Sequence, residues 1–370
     1  MRILFVARSL ECGGAERQLS QLARALKASG DEISVAVFYD GGMFQEDLRA
    51  GGIPIVHLKK RSFWDLLGPF LRLVSAARTQ RSDVVYSFML GPNILAAASR
   101  PFIGKTRVVW GIRSSETNWR VYGWSAVVAA LLERWLSRFA DLVICNSEVG
   151  RRESIENGFP EERTVTIANG IDTNQFRPDP AARRRMRKAL GLRDEHFAIG
   201  IVGRLDPHKG HKLFFDAARR VAAELPLAAF VCVGGGPDDY VLELRRYAAN
   251  VTNGSPVIWA GVQADMIGVY NALDVLALTS IGGDGFPNVL AEAMACGTPC
   301  IATVAGDSKK ILSNSTWVVN SRDGASIAAA ILTIADVPKA SLGEGLRQRI
   351  VSNFSLVEAV RATRHALASL

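Results

Sequence analysis

A short apolar run, a polar break and an amphipathic stretch recur along almost the whole chain, and the pattern restarts once. That alternation constrains the fold more than any single residue does. In the first half, apolar runs at 2–7, 32–37, 54–57, 83–87, 108–112 and 142–145 read as strands, with helical periodicity clearest over 15–28 and 125–139. Short buried runs rich in β-branched residues, separated by amphipathic segments, give a parallel, doubly wound sheet. The alternation breaks at Asn169-Gly170-Ile171-Asp172, followed by Pro178 and Pro180, a Gly/Pro-marked stretch that reads as an interdomain linker. It resumes with strands expected at 198–202, 229–233, 257–259, 275–278, 299–302 and 317–319, and ends on a helical segment at about 356–369. The expected architecture is α/β, with two Rossmann-like doubly wound domains facing a central cleft. These are residues 1–172 and 173–370, the final helical segment packing back on the first. Ligands of such folds sit beyond the carboxyl ends of the strands.

A length of 370 residues suits two domains. A hydrophobic fraction of 48% with 22% charged residues fits a soluble globular protein. No apolar run reaches the roughly 18 residues that span a bilayer. The N-terminal apolar stretch is too short for a signal peptide and reads as a strand, so a cytoplasmic location is expected. The five cysteines (Cys12, Cys145, Cys232, Cys296 and Cys300) are odd in number and lack CxxC spacing, which argues against disulfides and against a zinc site. The net charge of +8 suits anionic partners. Only Arg183-Arg184-Arg185-Met186-Arg187-Lys188 is a basic cluster, and a solvated helix face accounts for it as well as a ligand does. No aromatic-basic motif accompanies it, so nucleic acid is not an expected partner.

Three segments carry candidate chemistry. The first strand runs into Gly13-Gly14-Ala15-Glu16-Arg17 at the start of a helix. Paired glycines allow a ligand close to the backbone and a helix N-terminus attracts anions, although a plain tight turn would use the same residues. The sequence is not the GxGxxG fingerprint, so a dinucleotide is not indicated. Arg204 and Lys209, five residues apart after a strand, match a diphosphate grip: the guanidinium forks onto phosphate oxygens and the ammonium acts as a point charge. In Gly282-Gly283-Asp284-Gly285-Phe286-Pro287-Asn288-Val289-Leu290-Ala291-Glu292, glycines make a turn, Pro287 suits the first helical position and Gly297 ends the helix. Asp284 then lies in the loop and Glu292 one turn inside the helix, on the same face as Asn288. A carboxylate there can accept hydrogen bonds from two vicinal sugar hydroxyls; the bland alternative is an exposed helix glutamate. Gly234-Gly235-Gly236-Pro237 closes another strand without specificity. Walker A, GxSxG and HExxH motifs are missing from the sequence.

Taken together, these segments resemble glycosyltransferase family 4, the retaining enzymes of GT-B fold. The matching stretches are Gly13 to Arg17, Ile167-Ala168-Asn169-Gly170-Ile171-Asp172 with Phe176 and Pro178, Gly203-Arg204 through Lys209-Gly210, and Gly285-Phe286-Pro287-Asn288-Val289 through Ala295. They occur in the family's order from near residue 1 to near residue 320. The resemblance implies a metal-independent transfer from a nucleotide-diphosphate sugar to a glycan or lipid-linked acceptor, as in cell-surface polysaccharide (lipopolysaccharide, capsule or exopolysaccharide) biosynthesis. No cofactor is implied. Arg204 and Lys209 would bind the donor diphosphate and Glu292 the ribose. Gly13 and Gly14 would lie near the phosphates, and Gly285, Phe286, Pro287, Asn288 and Val289 would line the donor site. Asp284, Arg204, Lys209 and Arg113 are the implied catalytic set.

Two positions depart from the family. Its paired-glutamate motif reads Asp284-x7-Glu292 here, which shortens one carboxylate by a methylene. A histidine common after the strand at 108–112 is replaced by Arg113, which cannot act as a general base at neutral pH. Any role of Arg113 is therefore electrostatic or acceptor-binding. The acceptor is expected on the first domain. Trp119, Arg120, Tyr122, Trp124, Arg134, Trp135 and Arg138, with Arg61, Phe63 and Trp64 as a second spot, read either as an anionic membrane contact on the inner face or as core packing. Two other functional readings stand beside the main one: a nucleotide-sugar-binding protein weakened by Asp284 and Arg113, and an epimerase or phosphorylase on a related two-domain fold.

Overall fold

A computed structural model describes residues 1–11, 13–62, 65–115, 123–252, 256–313, 317–320 and 322–370. The first sheet contains β1 (Arg2–Ala7), β2 (Glu32–Val37), β3 (Ile55–His57), β4 (Val84–Phe88), β5 (Arg107–Ile112), β6 (Leu142–Cys145) and β7 (Thr164–Thr166). The second contains β8 (Phe197–Val202), β9 (Ala228–Val233), β10 (Val257–Gly261), β11 (Val275–Leu278), β12 (Cys300–Thr303) and β13 (Val318–Val319). Every pairing is parallel, in the orders β3-β2-β1-β4-β5-β6-β7 and β10-β9-β8-β11-β12-β13. In each sheet the order reverses beside the unit's first strand, at β1/β4 and at β8/β11, the doubly wound signature.

The chain divides into two compact units, Met1–Gly170 with Leu356–Leu370, and Ile171–Ser355. In the N-terminal unit, alternate residues of each strand face opposite layers. Ile3, Phe5, Val35 and Tyr86 pack with Leu19 and Leu26 of the helix Gly14–Ala28 and with Val360 and Leu367 of the closing helix Leu356–Ala368. Leu4, Val6, Val85, Val108 and Trp110 pack on the other face with Leu73, Ala77 and Ala96. In the second unit, Ile199, Ile201, Phe230 and Val275 meet Phe214, Val221, Ile327 and Ile331 of the helices His211–Glu224 and Gly324–Ala335. Each large side chain so buried contributes about 1.5–3 kcal/mol.

Three details differ from expectation. The edge strand β7 has no apolar run; its Thr-Val-Thr sequence is half-polar and pairs on one side only, with β6. Pro287 is the N-cap of the helix Asn288–Ala295 and not its first residue. The basic cluster is split: Arg184, Arg185 and Lys188 are exposed, as a solvated face would be, whereas Arg183 and Arg187 are taken up by the fold. On the helix Pro180–Ala189, capped by Asp179, Arg183 and Arg187 point inward one turn apart. Arg183 donates to the carbonyls of Asn271 and Ala272 and pairs with Asp274 at 2.8 Å. Arg187 pairs with Asp274 at 3.2 Å and donates to the carbonyls of Ala272, Arg193 and His196. Cys145, Cys232, Cys296 and Cys300 are free and buried, while Cys12 lies outside the described residues.

Candidate active site

In the second unit the loops that leave the carboxyl ends of β9, β8, β11 and β12 are stitched together in sheet order. Gly234 sits at φ +141°, and a Cβ there would lie 1.9 Å from the Gly203 carbonyl oxygen, so the glycine loop after β9 lies directly on the chain leaving β8. Leu205 N–H donates to the Gly235 carbonyl at 2.8 Å. After β8, Asp206 caps a single 3-10 turn, Pro207–Lys209, by accepting from His208 N–H at 2.9 Å. Gly210 ends that turn at φ +67°, where a Cβ would lie 1.9 Å from the Thr279 carbonyl oxygen. Thr279 Oγ1 returns hydrogen bonds of 3.0 Å to the carbonyls of Lys209 and Gly210, and Ile281 N–H donates to the His208 carbonyl at 2.8 Å. The loop after β11 is held in turn by the loop after β12: Asp307 N–H donates to the Gly285 carbonyl at 2.9 Å.

This framework joins two of the expected site residues. Lys209 Nζ donates to Asp284 Oδ1, with the side chains 26% and 13% exposed, and the lysine stem passes over Gly203. Arg204 is turned outward, 68% exposed, and pairs with Asp206 at 3.2 Å. Glu292 is not an exposed helix glutamate. It is 1% exposed and accepts a 2.7 Å hydrogen bond from the Tyr270 hydroxyl. Gly285, Phe286 and Pro287 are buried, while Asn288 and Val289, on the first turn of the helix, are partly open. Tyr270, Thr279 and Asp206 were not legible as site residues. Tyr270 lies in an apolar helix, Met266–Ala272, where an aromatic reads as core. His211, wholly buried at the start of its helix, is a neutral imidazole, pushed down to about 4 chiefly by burial.

Gly13 and Gly14 belong to the N-terminal unit. Gly13 caps the helix Gly14–Ala28, and a Cβ on it would lie 2.0 Å from Glu16 Oε2. Gly13 is therefore what lets the Glu16 carboxylate fold over the helix N-terminus, where burial raises its pKa. Arg113 follows β5 at the carboxyl edge of the first sheet. Its guanidinium donates to the Tyr86 hydroxyl at 2.7 Å and to Asn169 Oδ1 at 3.3 Å, and its carbon lies 4.1 Å from the centre of the Phe88 ring.

Residues 12–175 match the family model described as Glycosyltransferase Family 4, and residues 196–336 match that described as Glycosyl transferases group 1. The chain belongs to glycosyltransferase family 4. It is 29% identical over 272 residues to a GDP-mannose-dependent alpha-(1-6)-phosphatidylinositol monomannoside mannosyltransferase of Mycolicibacterium smegmatis, covering 70% of this chain and 68% of that one. It is 26% identical over 241 residues to a UDP-Gal:alpha-D-GlcNAc-diphosphoundecaprenol alpha-1,3-galactosyltransferase of Escherichia coli, covering 62% of each. Anabaena HepE, solved in complex with UDP-glucose, superposes with a TM-score of 0.88 at 27% identity over the full length of both chains. This family-4 chain is thus a glycosyltransferase with two α/β units of the GT-B fold.

Proposed function

We propose that the chain transfers a sugar, with retention and without a metal, from a nucleotide-diphosphate sugar held by the second unit to an acceptor held by the N-terminal unit. In this reading the C1–oxygen bond to the donor's diphosphate breaks while the acceptor hydroxyl oxygen bonds to C1 on the same face. The acceptor's proton passes to the departing phosphate oxygen. Lys209 and Arg204 neutralise the charge that develops on the diphosphate, a task for positioned cations. Glu292 accepts from the ribose hydroxyls, with the Tyr270 hydroxyl fixing its carboxylate. Asp284 orients Lys209 and meets the transferred sugar. The observation that carries this reading is the joining of Lys209 and Asp284 just ahead of the helix that bears the buried Glu292, on loops tied at the carboxyl ends of four strands. Relatives that use GDP-mannose and UDP-galactose, and a neighbour solved with UDP-glucose, favour UDP or GDP as the nucleotide.

The decisive experiment is a thermal-shift series with UDP, GDP, ADP and CMP and their sugar conjugates, with and without EDTA. A ligand of the folded state raises Tm by mass action. One nucleoside diphosphate should raise it, equally in EDTA; a rise that needs a divalent metal contradicts the metal-free reading. Turnover with the matching sugar then separates the enzyme from a binding protein that has lost activity.

The acceptor we propose is a glycan or lipid-linked glycan of a cell-surface polysaccharide, met at an anionic bilayer. The helix Trp124–Leu136 supports the bilayer contact, since Trp124, Val128, Leu131 and Trp135 are all exposed at helical spacing with Arg134 and Arg138 beside them. Core packing therefore does not account for Trp124 or Trp135, which are 73% and 52% exposed. Trp119, Arg120, Tyr122, Phe63 and Trp64 lie outside the described residues. Among the described residues no helix is long and apolar enough to cross a membrane, so the contact proposed is peripheral. Co-sedimentation with phosphatidylglycerol vesicles but not phosphatidylcholine vesicles, lost in Trp124→Ser/Trp135→Ser, is the expected result.

A further inference from the structure

Among the described residues, none balances the charge that Arg113 carries. Its hydrogen bonds go to a hydroxyl and an amide oxygen, its flat face lies against Phe88, and it makes no ion pair among the described residues. Two titratable groups that Arg113 acts on, Tyr86 and Cys145, are kept neutral. Burial raises the Tyr86 hydroxyl above its ordinary range and pushes the Cys145 thiol up to about 11. Nε is buried and has no hydrogen-bond partner. Arg113, Tyr86, Phe88, Gln18, Asn169 and Thr363 line a small cavity of about 20 Å³, room for a single water. A guanidinium does not shed its proton, so a half-buried one with only neutral partners stays charged and desolvated until an anion arrives. It is also rigid, held on three sides at the carboxyl edge of a doubly wound sheet, where ligands of such sheets bind.

We propose that Arg113 reads an oxyanion on the acceptor, so that the N-terminal unit selects acceptors bearing a phosphate or a carboxylate close to the hydroxyl that is glycosylated. This rests on the reading of that unit as the acceptor side of a glycosyltransferase. The tetrahedral phosphate of a phosphosugar and the planar carboxylate of a uronic acid each offer a pair of oxygens that a guanidinium fork grips bidentately and an ammonium does not. Arg113 is thus a specificity-determining residue, and the loss of the family's histidine at this position is a change of acceptor and not a loss of activity.

The test uses the full chain saturated with UDP or GDP, which occupies the donor side. Calorimetric titration compares glucose 1-phosphate, glucuronate and the neutral methyl glucoside. At least one anion should bind ten or more times tighter than the methyl glucoside, and which anion does so separates phosphate from carboxylate. Arg113→Gln should erase the preference and Arg113→Lys should keep a part of it. The rise in Tm with UDP or GDP is recorded on the same samples; it reports the donor reading and should persist in both variants. Equal or undetectable binding of the anions and the glucoside by the parent chain overturns the proposal, whether or not the variants fold. So does an anion preference that survives in Arg113→Gln. A missing donor response with an Arg113-dependent anion preference would instead sink the donor assignment alone.

Discussion

Arg187 and Arg113 are buried to different degrees and used in different ways, and what separates them is the charge of their neighbours. Arg187 is 3% exposed beside the Asp274 carboxylate and four backbone carbonyls. Arg113 is half-buried among a phenol, an amide oxygen and a benzene ring. Both leave Nε without a hydrogen-bond partner, so hydrogen-bond counting does not distinguish them. The compensated arginine fastens the helix Pro180–Ala189 to the end of the helix Met266–Ala272, whereas the uncompensated one is the residue we propose for an anionic acceptor. The lesson extends to buried groups that can change their charge. Lys339, packed near Arg183 and the same carbonyls, is pushed down to about 8, chiefly by burial, and Glu133 is pushed up to about 7 by burial against a single Asn93 hydrogen bond. A lysine can give up a proton and a glutamate can take one, but an arginine can do neither.

The largest expected effect breaks the compensated side. Arg187→Met takes from Asp274 the more deeply buried of its two arginines and strips the Arg193 and His196 carbonyls of their donor. Breaking a buried pair costs about 3–5 kcal/mol, and the Arg183 pairing that survives puts the expected loss at the lower end, about 3 kcal/mol. Urea or thermal unfolding should show that loss, while Arg113→Gln, which strands no charge, should fall well below it. Similar losses at both positions would mean that Arg113 is structural after all.

Glu133 tests the rule with the opposite sign. Its folded pKa of about 7 lies above the ordinary 4.5, so the folded state holds the proton more tightly than the unfolded chain does. The stabilisation is therefore complete below about pH 4.5, is lost as pH rises toward 7, and is flat above that; the full swing is about 3 kcal/mol. Glu133→Gln keeps an acceptor for Asn93 and should flatten this slope of stability against pH between 5 and 7. A slope unchanged in the variant would place the titration elsewhere.

The same distinction explains what was legible in the sequence. Chain-local features could be read directly: β1, β2, β6 and β11 end where their apolar runs end, and Gly297 at φ +72° closes the helix that carries Glu292. The fold class followed from those runs. Features that depend on a distant partner could not be read. Nothing near 183–188 announces Asp274, so Arg183 and Arg187 passed for part of the solvated face that Arg184, Arg185 and Lys188 do form, and nothing near Glu292 announces Tyr270. The edge strand β7 escaped because one-sided pairing does not demand an apolar run. Candidate site residues were found through their glycine-rich loops and family resemblance; their burial and partners came only with the fold.

Glu292 comes next in size. It is more deeply buried than Asp274 and accepts from a hydroxyl, and a hydrogen bond to a carboxylate contributes about 1.5–3 kcal/mol. Glu292→Gln should keep the Tyr270 contact and the fold yet lower nucleoside-diphosphate affinity by roughly ten- to a hundredfold, a loss in that energy range. Calorimetry with UDP or GDP measures it, and an unchanged affinity refutes the ribose assignment.

The smallest effects should come from Lys209 and Asp284, which stand between the two arginine cases: paired like Arg187, yet open enough to exchange partners. If the pair is a latch that a diphosphate must share, its two halves act in opposite directions. Lys209→Ala removes the cation and should weaken nucleoside-diphosphate binding, whereas Asp284→Asn removes a competitor for that cation and should tighten it. Each change should be roughly three- to tenfold, up to about 1.4 kcal/mol, with stability moving by no more than about 1 kcal/mol for a pair this accessible. Sugar transfer should fall in both variants if Asp284 also meets the transferred sugar, as proposed. Binding that weakens in both would mean that the pair is a structural clamp of the Arg187 kind, and the cation that neutralises the leaving diphosphate would then have to be Arg204 alone.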